Sequence, residues 1–450
     1  MSLNARRAGL LLHPTSLPSG TLADVDRWLD FLQAAGVGVW QMLPLGIPLN
    51  GLSPYQCASA FAVNPELFPD CDVDPHGYAD WQVRQAHWLD DFARFMVIKE
   101  DRQGAPWTEW PRALRDRAPG VLVHFDVAHA DALEAVKRAQ YRAVVQWHEL
   151  HAQAAARGIQ LFGDMPIFVA HDSADVWARR DLFLLDEAGH PTVVTGVPPD
   201  YFSETGQRWG NPHYNWAAMQ ADGFAWWRAR LRAYFEWFDL VRIDHFRGLA
   251  AAWAIPASEP TAIHGEWVAT PGAALLQAIA DEMGELSLVA EDLGIITPDV
   301  TALRHQFGLP GMAVLQFAFD AHADNPHKPE NVQPDTVYYT GTHDNDTTLG
   351  WWRALPGEAR QQVMQQLGVS EADAVPDAMI ATVLESRAAL AVLPLQDVLH
   401  LGSEARMNIP GTDNGNWTWR FEWDALPLEL ASRLLQQLQK AHRCERKAKP

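Results

Sequence analysis

Cysteine is nearly missing from this chain of 450 residues. Cys57, Cys71 and Cys444 are the whole complement, and none stands in a CxxC or Cys/His spacing. Such a count gives no disulfide framework and no zinc-type ligand set, and it suits reduced thiols in a cytoplasmic setting. Positive charge is also short: Lys and Arg total 35 against 56 Asp and Glu, a formal charge of −21. A surface of that sign repels phosphate backbones and anionic lipid, which argues against nucleic acid or membrane as a partner. Long apolar runs are lacking too. The N-terminal stretch from Gly9 to Leu12 breaks at His13 and Pro14, too short for an export core or a membrane span. No internal repeat, low-complexity tract or flexible linker divides the chain.

What the chain has is apolar and aromatic mass. Hydrophobic residues make up 48% and charged residues 20%, enough to build a sizeable core. Twenty tryptophans are many for this length; most are expected to pack inside, while Trp209, in a polar glycine-containing loop, is placed to meet a ligand. Eight short apolar segments read as strands buried on both faces: about residues 8 to 13, 37 to 43, 159 to 165, 239 to 244, 286 to 291, 312 to 318, 336 to 342 and 391 to 397. Helical patterns lie between several of them, at 24 to 36, 132 to 158 and 224 to 238. The expected fold is therefore α/β, a (β/α)8 TIM barrel in one catalytic domain, with long insertions after strands 2, 3 and 4 at about 44–130, 166–222 and 246–280.

Three of the strand-like segments end in a carboxylate. VRIDHFRG (241 to 248) sets Arg242 and Asp244 two apart, on one face of an extended strand, where the cation holds the carboxylate ionised. LSLVAEDLG (286 to 294) delivers Glu291, and TVYYTGTHDND (336 to 346) delivers His343 and Asp344. Side chains at the C-terminal strand ends of such a barrel converge on one face. A paired nucleophile and acid there suit retaining glycosyl transfer: Asp244 attacks the anomeric carbon, and Glu291, its proton retained through partial burial and the charges of Asp244 and Asp344, protonates the leaving oxygen. A metal is not expected, because HDNDT has no second histidine at ligand spacing. No cofactor is implied. Asp292 is expected to point away from the site as structural support.

Beyond those carboxylates, GLLLHPTSLPSG (9 to 20), WQMLPLGIP (40 to 48), SPYQ (53 to 56), GDMPIFVAHDSADVW (163 to 177), GVPPDYFSETGQRWGNPHYNW (196 to 216), VAEDLG, GTHDNDT and RMNIPGTDNGNWTWR (406 to 420) follow in order along nearly the whole chain. In these motifs it resembles the 4-α-glucanotransferases called amylomaltase or disproportionating enzyme, glycoside hydrolase family 77 of the α-amylase superfamily. The resemblance implies Asp244 as nucleophile, Glu291 as acid/base and Asp344 as transition-state stabiliser. It implies Arg242, His343, Tyr55 and Asp164 around the sugar. A lid is implied over the site, with Tyr201, Phe202 and Trp209 shaping it and Gln207, Asp200 and Asn211 offering hydrogen bonds. The implied substrates are α-1,4-glucans, maltooligosaccharides and glucose. The 406 to 420 segment is implied to pack on the active face. Two rivals stay open: an α-glucan hydrolase of the same superfamily, and a glucan-binding protein without turnover.

Overall fold

A computed structural model describes residues 5–49, 51–200, 203–412 and 414–444. Eight parallel strands form its centre: β1 (Arg7–Leu11), β2 (Val39–Gln41), β3 (Gln160–Met165), β4 (Leu240–Ile243), β5 (Leu288–Ala290), β6 (Gly311–Val314), β7 (Thr336–Tyr339) and β8 (Leu390–Pro394). They pair in the order β6-β7-β8-β1-β2-β3-β4-β5. The two ends of that order meet where the Ala290 N–H donates to the Pro310 carbonyl at 2.8 Å, just before β6. The sheet is thus a (β/α)8 barrel. Each strand falls within or beside an apolar segment read from the sequence, because a strand covered on both faces is apolar at most of its positions.

The strands stop earlier than their apolar runs. After β6 the chain turns through a 3-10 turn at Leu315–Phe317, and after β8 through a helical turn at Leu395–Val398. There the chain leaves the ladder to build the loops of the C-terminal face while its side chains stay buried, so hydropathy alone overruns the strand. The expected helices stand at Val25–Ala34, Ala130–Ala156 and Ala225–Trp237. Gly163 in β3 admits the last of these closely, since a Cβ there would lie 2.4 Å from the Phe238 ring.

Alternation along the strands sorts the barrel interior into layers. Leu11, Val39, Phe162, Leu240, Val289, Val337, Leu390 and Val392 pack together as an apolar plug. One step further toward the C-terminal ends, the same faces carry Gln41, Asp164, Arg242 and Glu291, so the plug is topped by a polar layer. Register sharpens this: Asp164 of β3 and Arg242 of β4 are direct partners across the ladder. Asp292, one position on from Glu291, faces outward, where it accepts from the Met312 N–H (2.7 Å) and meets Arg304 (3.2 Å).

Within the first insertion stand helices Tyr78–Gln85, Leu89–Asp101 and Pro119–Ala128. Strands Val193–Val197 and Gln207–Pro212 of the second insertion and Ala251–Pro256 and Glu266–Ala269 of the third join in one antiparallel four-stranded sheet. These two insertions are therefore one covering layer beside the barrel mouth. Helix Gly272–Met283 then returns the chain to β5. Most of the tryptophans lie inside, with Trp28, Trp40, Trp107, Trp147, Trp177 and Trp227 fully buried. No helix among the described residues is long and apolar enough to cross a membrane.

Candidate active site

The polar layer of the barrel continues into a hydrogen-bonded chain at the C-terminal face. Arg242 Nη1 donates to both oxygens of Asp164 (2.8 and 2.7 Å), and Nη2 donates to Asp244 Oδ1 at 2.9 Å. Asp164 Oδ2 also accepts from the Tyr55 hydroxyl at 2.8 Å, and that hydroxyl lies 2.9 Å from His343 Nε2. His343 Nε2 stands 3.4 Å from Asp344 Oδ2. Asp244 and Asp344, a hundred residues apart in sequence, are thus joined through Arg242, Asp164, Tyr55 and His343. The Tyr55 proton points to a carboxylate, so its oxygen accepts from His343, which assigns the imidazole proton to Nε2.

Glu291 joins this group through the backbone of the residue after Asp244. His245 N–H donates to Glu291 Oε2 at 2.7 Å, and Leu293 N–H donates to Oε1 at 3.0 Å. His245 can aim its N–H this way because it sits at φ +50°, a left-handed conformation that non-glycine residues rarely adopt. Burial pushes the Glu291 carboxyl up to about 7, and the charge of Asp244 adds to the rise, against Arg242 and the two N–H donors. The sequence had assigned that rise to Asp244 and Asp344 together with partial burial; burial is the largest cause, and among the carboxylates it is Asp244 that contributes. Burial also holds the His245 imidazole down to about 4, hence neutral. Arg242 is buried and held charged well above the usual guanidinium range by Asp164 and Asp244, which outweigh its desolvation.

Asp344 is the exposed member, its side chain 48% accessible. A segment far downstream orients it: Asn408 Nδ2 donates to Asp344 Oδ1 at 2.6 Å, while Arg406 donates to the Asp344 carbonyl at 2.6 Å. Trp417, at φ +64°, packs beside Tyr55 and His343 with ring centroids 6.1 and 6.0 Å away, and Tyr55 itself stacks on His343 at 5.3 Å. The 406 to 420 segment does pack on the active face.

The remaining expected residues take different places. Asp164 is fully buried beneath Arg242 and Tyr55, so it acts on those side chains and not on the open cleft. Trp209 lies at the mouth, edge-on to His245 at 4.8 Å, and its indole N–H donates to Gln207 Oε1 at 3.1 Å. Asn211 is buried and binds the Val169 carbonyl (2.8 Å) and Gln56 (3.1 Å), tying the covering sheet to the barrel loops. Asp200 caps a local turn by accepting from the Ser203 N–H at 2.9 Å. Tyr201 and Phe202 lie outside the described residues. Sequence reasoning had not singled out His245, Arg406, Asn408 or Trp417. Adjacency to Asp244 was the available signal for the first; the others lie in a motif that reads locally as a turn. Among the described residues no group of three or more His, Cys, Asp or Glu is arranged to hold a metal ion.

Known proteins share this arrangement of chain. The sequence profile of glycoside hydrolase family 77, described as 4-alpha-glucanotransferase, matches residues 11–73 and 69–425. A 4-alpha-glucanotransferase of Thermus thermophilus is 48% identical, across 95% of this chain and 96% of its own. One from Synechocystis is 43% identical, across 94% and 95%. The amylomaltase from Streptococcus agalactiae, solved in complex with acarbose, superposes with a TM-score of 0.93 at 31% identity, covering 98% of this chain and all of that one.

Proposed function

Given that the chain belongs to glycoside hydrolase family 77 and is a 4-alpha-glucanotransferase, we propose that it performs the transfer by double displacement on Asp244. An α-1,4-glucan binds across the barrel mouth. The Asp244 carboxylate attacks the anomeric carbon while Glu291 gives its proton to the departing glycosidic oxygen, so one C–O bond forms as the other breaks. The 4-hydroxyl of glucose or of a second glucan then attacks the glycosyl ester, losing its proton to Glu291, and Asp244 departs as carboxylate. Two inversions leave the configuration as it began.

The residues divide the work by their environment. Arg242, held by Asp164, aims Asp244 through its hydrogen bond. Burial keeps Glu291 protonated for the first step; once Asp244 is esterified, its negative charge no longer raises Glu291, which then accepts a proton more readily. Asp344 and His343 bind sugar hydroxyls as the ring flattens toward an oxocarbenium ion, an interaction that helps catalysis only to the extent that it tightens in the transition state. Trp209 and its neighbours keep water from the ester until a sugar acceptor arrives. Carrying this reading is the chain of hydrogen bonds from Asp244 through Arg242, Asp164 and Tyr55 to His343, whose Nε2 stands 3.4 Å from Asp344, with Glu291 anchored to the backbone beside it.

Incubation with maltotriose tests it. Transfer yields a ladder of longer and shorter maltooligosaccharides at constant reducing ends. A steady rise in reducing ends would make the chain a hydrolase, and no change at all, a binding protein.

A further inference from the structure

Away from the catalytic mouth, the first insertion packs against helix Ala225–Trp237 and leaves a recess of about 430 Å³, a size that holds a small ligand. Its lining is unusual for a chain of charge −21. Arg84, Arg179, Arg228 and Arg232 arrive from three different elements, against only Asp91 and Asp175. Both carboxylates are engaged elsewhere. Asp91 takes Arg94 (2.9 Å) and Arg117 (2.8 Å), and Asp175 accepts from the Ala60 N–H (2.8 Å) and the Trp226 indole N–H (3.3 Å).

The arginines are braced without being used up. Arg179 is fixed on Asp181 at 2.9 Å, and Arg228 and Arg232 both brace on Glu282, whereas the Arg84 guanidinium has no hydrogen-bond or ion-pair partner among the described residues, its backbone alone meeting His87. Each guanidinium offers five N–H donors, so most remain open. The lining is also aromatic: Phe61 and Trp88 stack with centroids 6.0 Å apart and planes 12° apart, and Trp226 meets Phe61 edge-on at 5.9 Å. Guanidinium forks match phosphate oxygens, and flat aromatic surface matches the apolar face of a pyranose. A neutral glucan has no use for the first.

We propose that this recess binds a phosphorylated monosaccharide, with the phosphate among the arginines and the ring against the Trp88 and Phe61 wall. Its floor adjoins the segment that follows Tyr55. Ser59 and Asp175 line it, Ala60 hangs on Asp175, and the Ala174 N–H donates to the Ala58 carbonyl at 2.8 Å, so an occupant bears on the segment that carries Tyr55.

Calorimetric titration of the full chain with glucose 1-phosphate, glucose 6-phosphate, inorganic phosphate and glucose tests this. At least one sugar phosphate is expected to bind at millimolar concentration or below, and Arg84→Glu to weaken it by about tenfold or more. Because the Arg84 guanidinium is exposed and unpartnered, maltotriose turnover without added phosphate is expected to be unchanged in that variant. Trp88→Ala is expected to weaken the sugar phosphate and leave inorganic phosphate unaffected. Failure of every sugar phosphate to bind, or binding indifferent to Arg84→Glu, would overturn the site. Inorganic phosphate binding as tightly as the sugar phosphates would overturn the class of ligand.

Discussion

Opposing influences meet at Glu291. Burial and Asp244 favour its protonated form, Arg242 and two backbone N–H groups favour the anion, and the balance falls at about 7 against an ordinary 4.5. In the proposed double displacement the free enzyme needs that proton for the first step. kcat/KM is therefore expected to hold up to about pH 7 and to fall about tenfold per pH unit above it, as measured on maltotriose across pH 5 to 9. A donor with a fluoride leaving group, which departs without protonation, is expected to lose that limb. Asn408 is the second test at this scale. Its amide holds one oxygen of Asp344, and a hydrogen bond to a charged group contributes about 1.5 to 3 kcal/mol, so Asn408→Ala is expected to lower kcat about 10- to 100-fold in steady-state assay. The three carboxylates were legible because each ends an apolar run. Asn408 and Trp417 were not, since they reach the site from more than sixty residues downstream of Asp344 and carry no periodic signal.

Elements set those side chains in place. β4 delivers Arg242 and Asp244 to one face, and the left-handed turn at His245 then bends the chain so that a backbone N–H reaches Glu291 from the neighbouring strand. The strand centres could be read from hydropathy because all are buried on both sides. Their ends could not, since Leu315 and Leu395 stay buried after the ladder bonds cease. Nor was the covering sheet legible: its strand Gln207–Pro212 is polar and partly exposed, and its partners come from two separate insertions. That sheet carries Trp209 to the mouth. Trp209→Ala is expected to admit water to the glycosyl ester, raising the share of reducing ends released from maltotriose several-fold while donor cleavage falls less. An unchanged ratio of hydrolysis to transfer would remove Trp209 from the lid.

Across the whole molecule, the two ends of the barrel divide stability from chemistry. At the N-terminal end of the strands, the Arg443 guanidinium is buried and caps the carbonyls of Arg7, Leu384, Ser386, Ala388 and Ala389, closing the C-terminal segment onto β1 and β8. Arg443→Ala removes all five of these bonds, although Leu384 and Ser386 keep Arg6 and Ala389 keeps the Arg7 N–H, and is expected to destabilise the chain by about 3 kcal/mol in denaturant unfolding, with kcat at 25 °C unchanged. The catalytic end carries the central claim, that distant carboxylates surround one anomeric carbon closely enough for covalent capture by Asp244. Peptide mapping of the Glu291→Gln variant after brief exposure to α-maltosyl fluoride tests that claim most directly, because the ester forms without an acid and persists without a base. The expected result is a maltosyl ester on Asp244. An ester on another residue, or undiminished turnover by Asp244→Asn, would contradict the account.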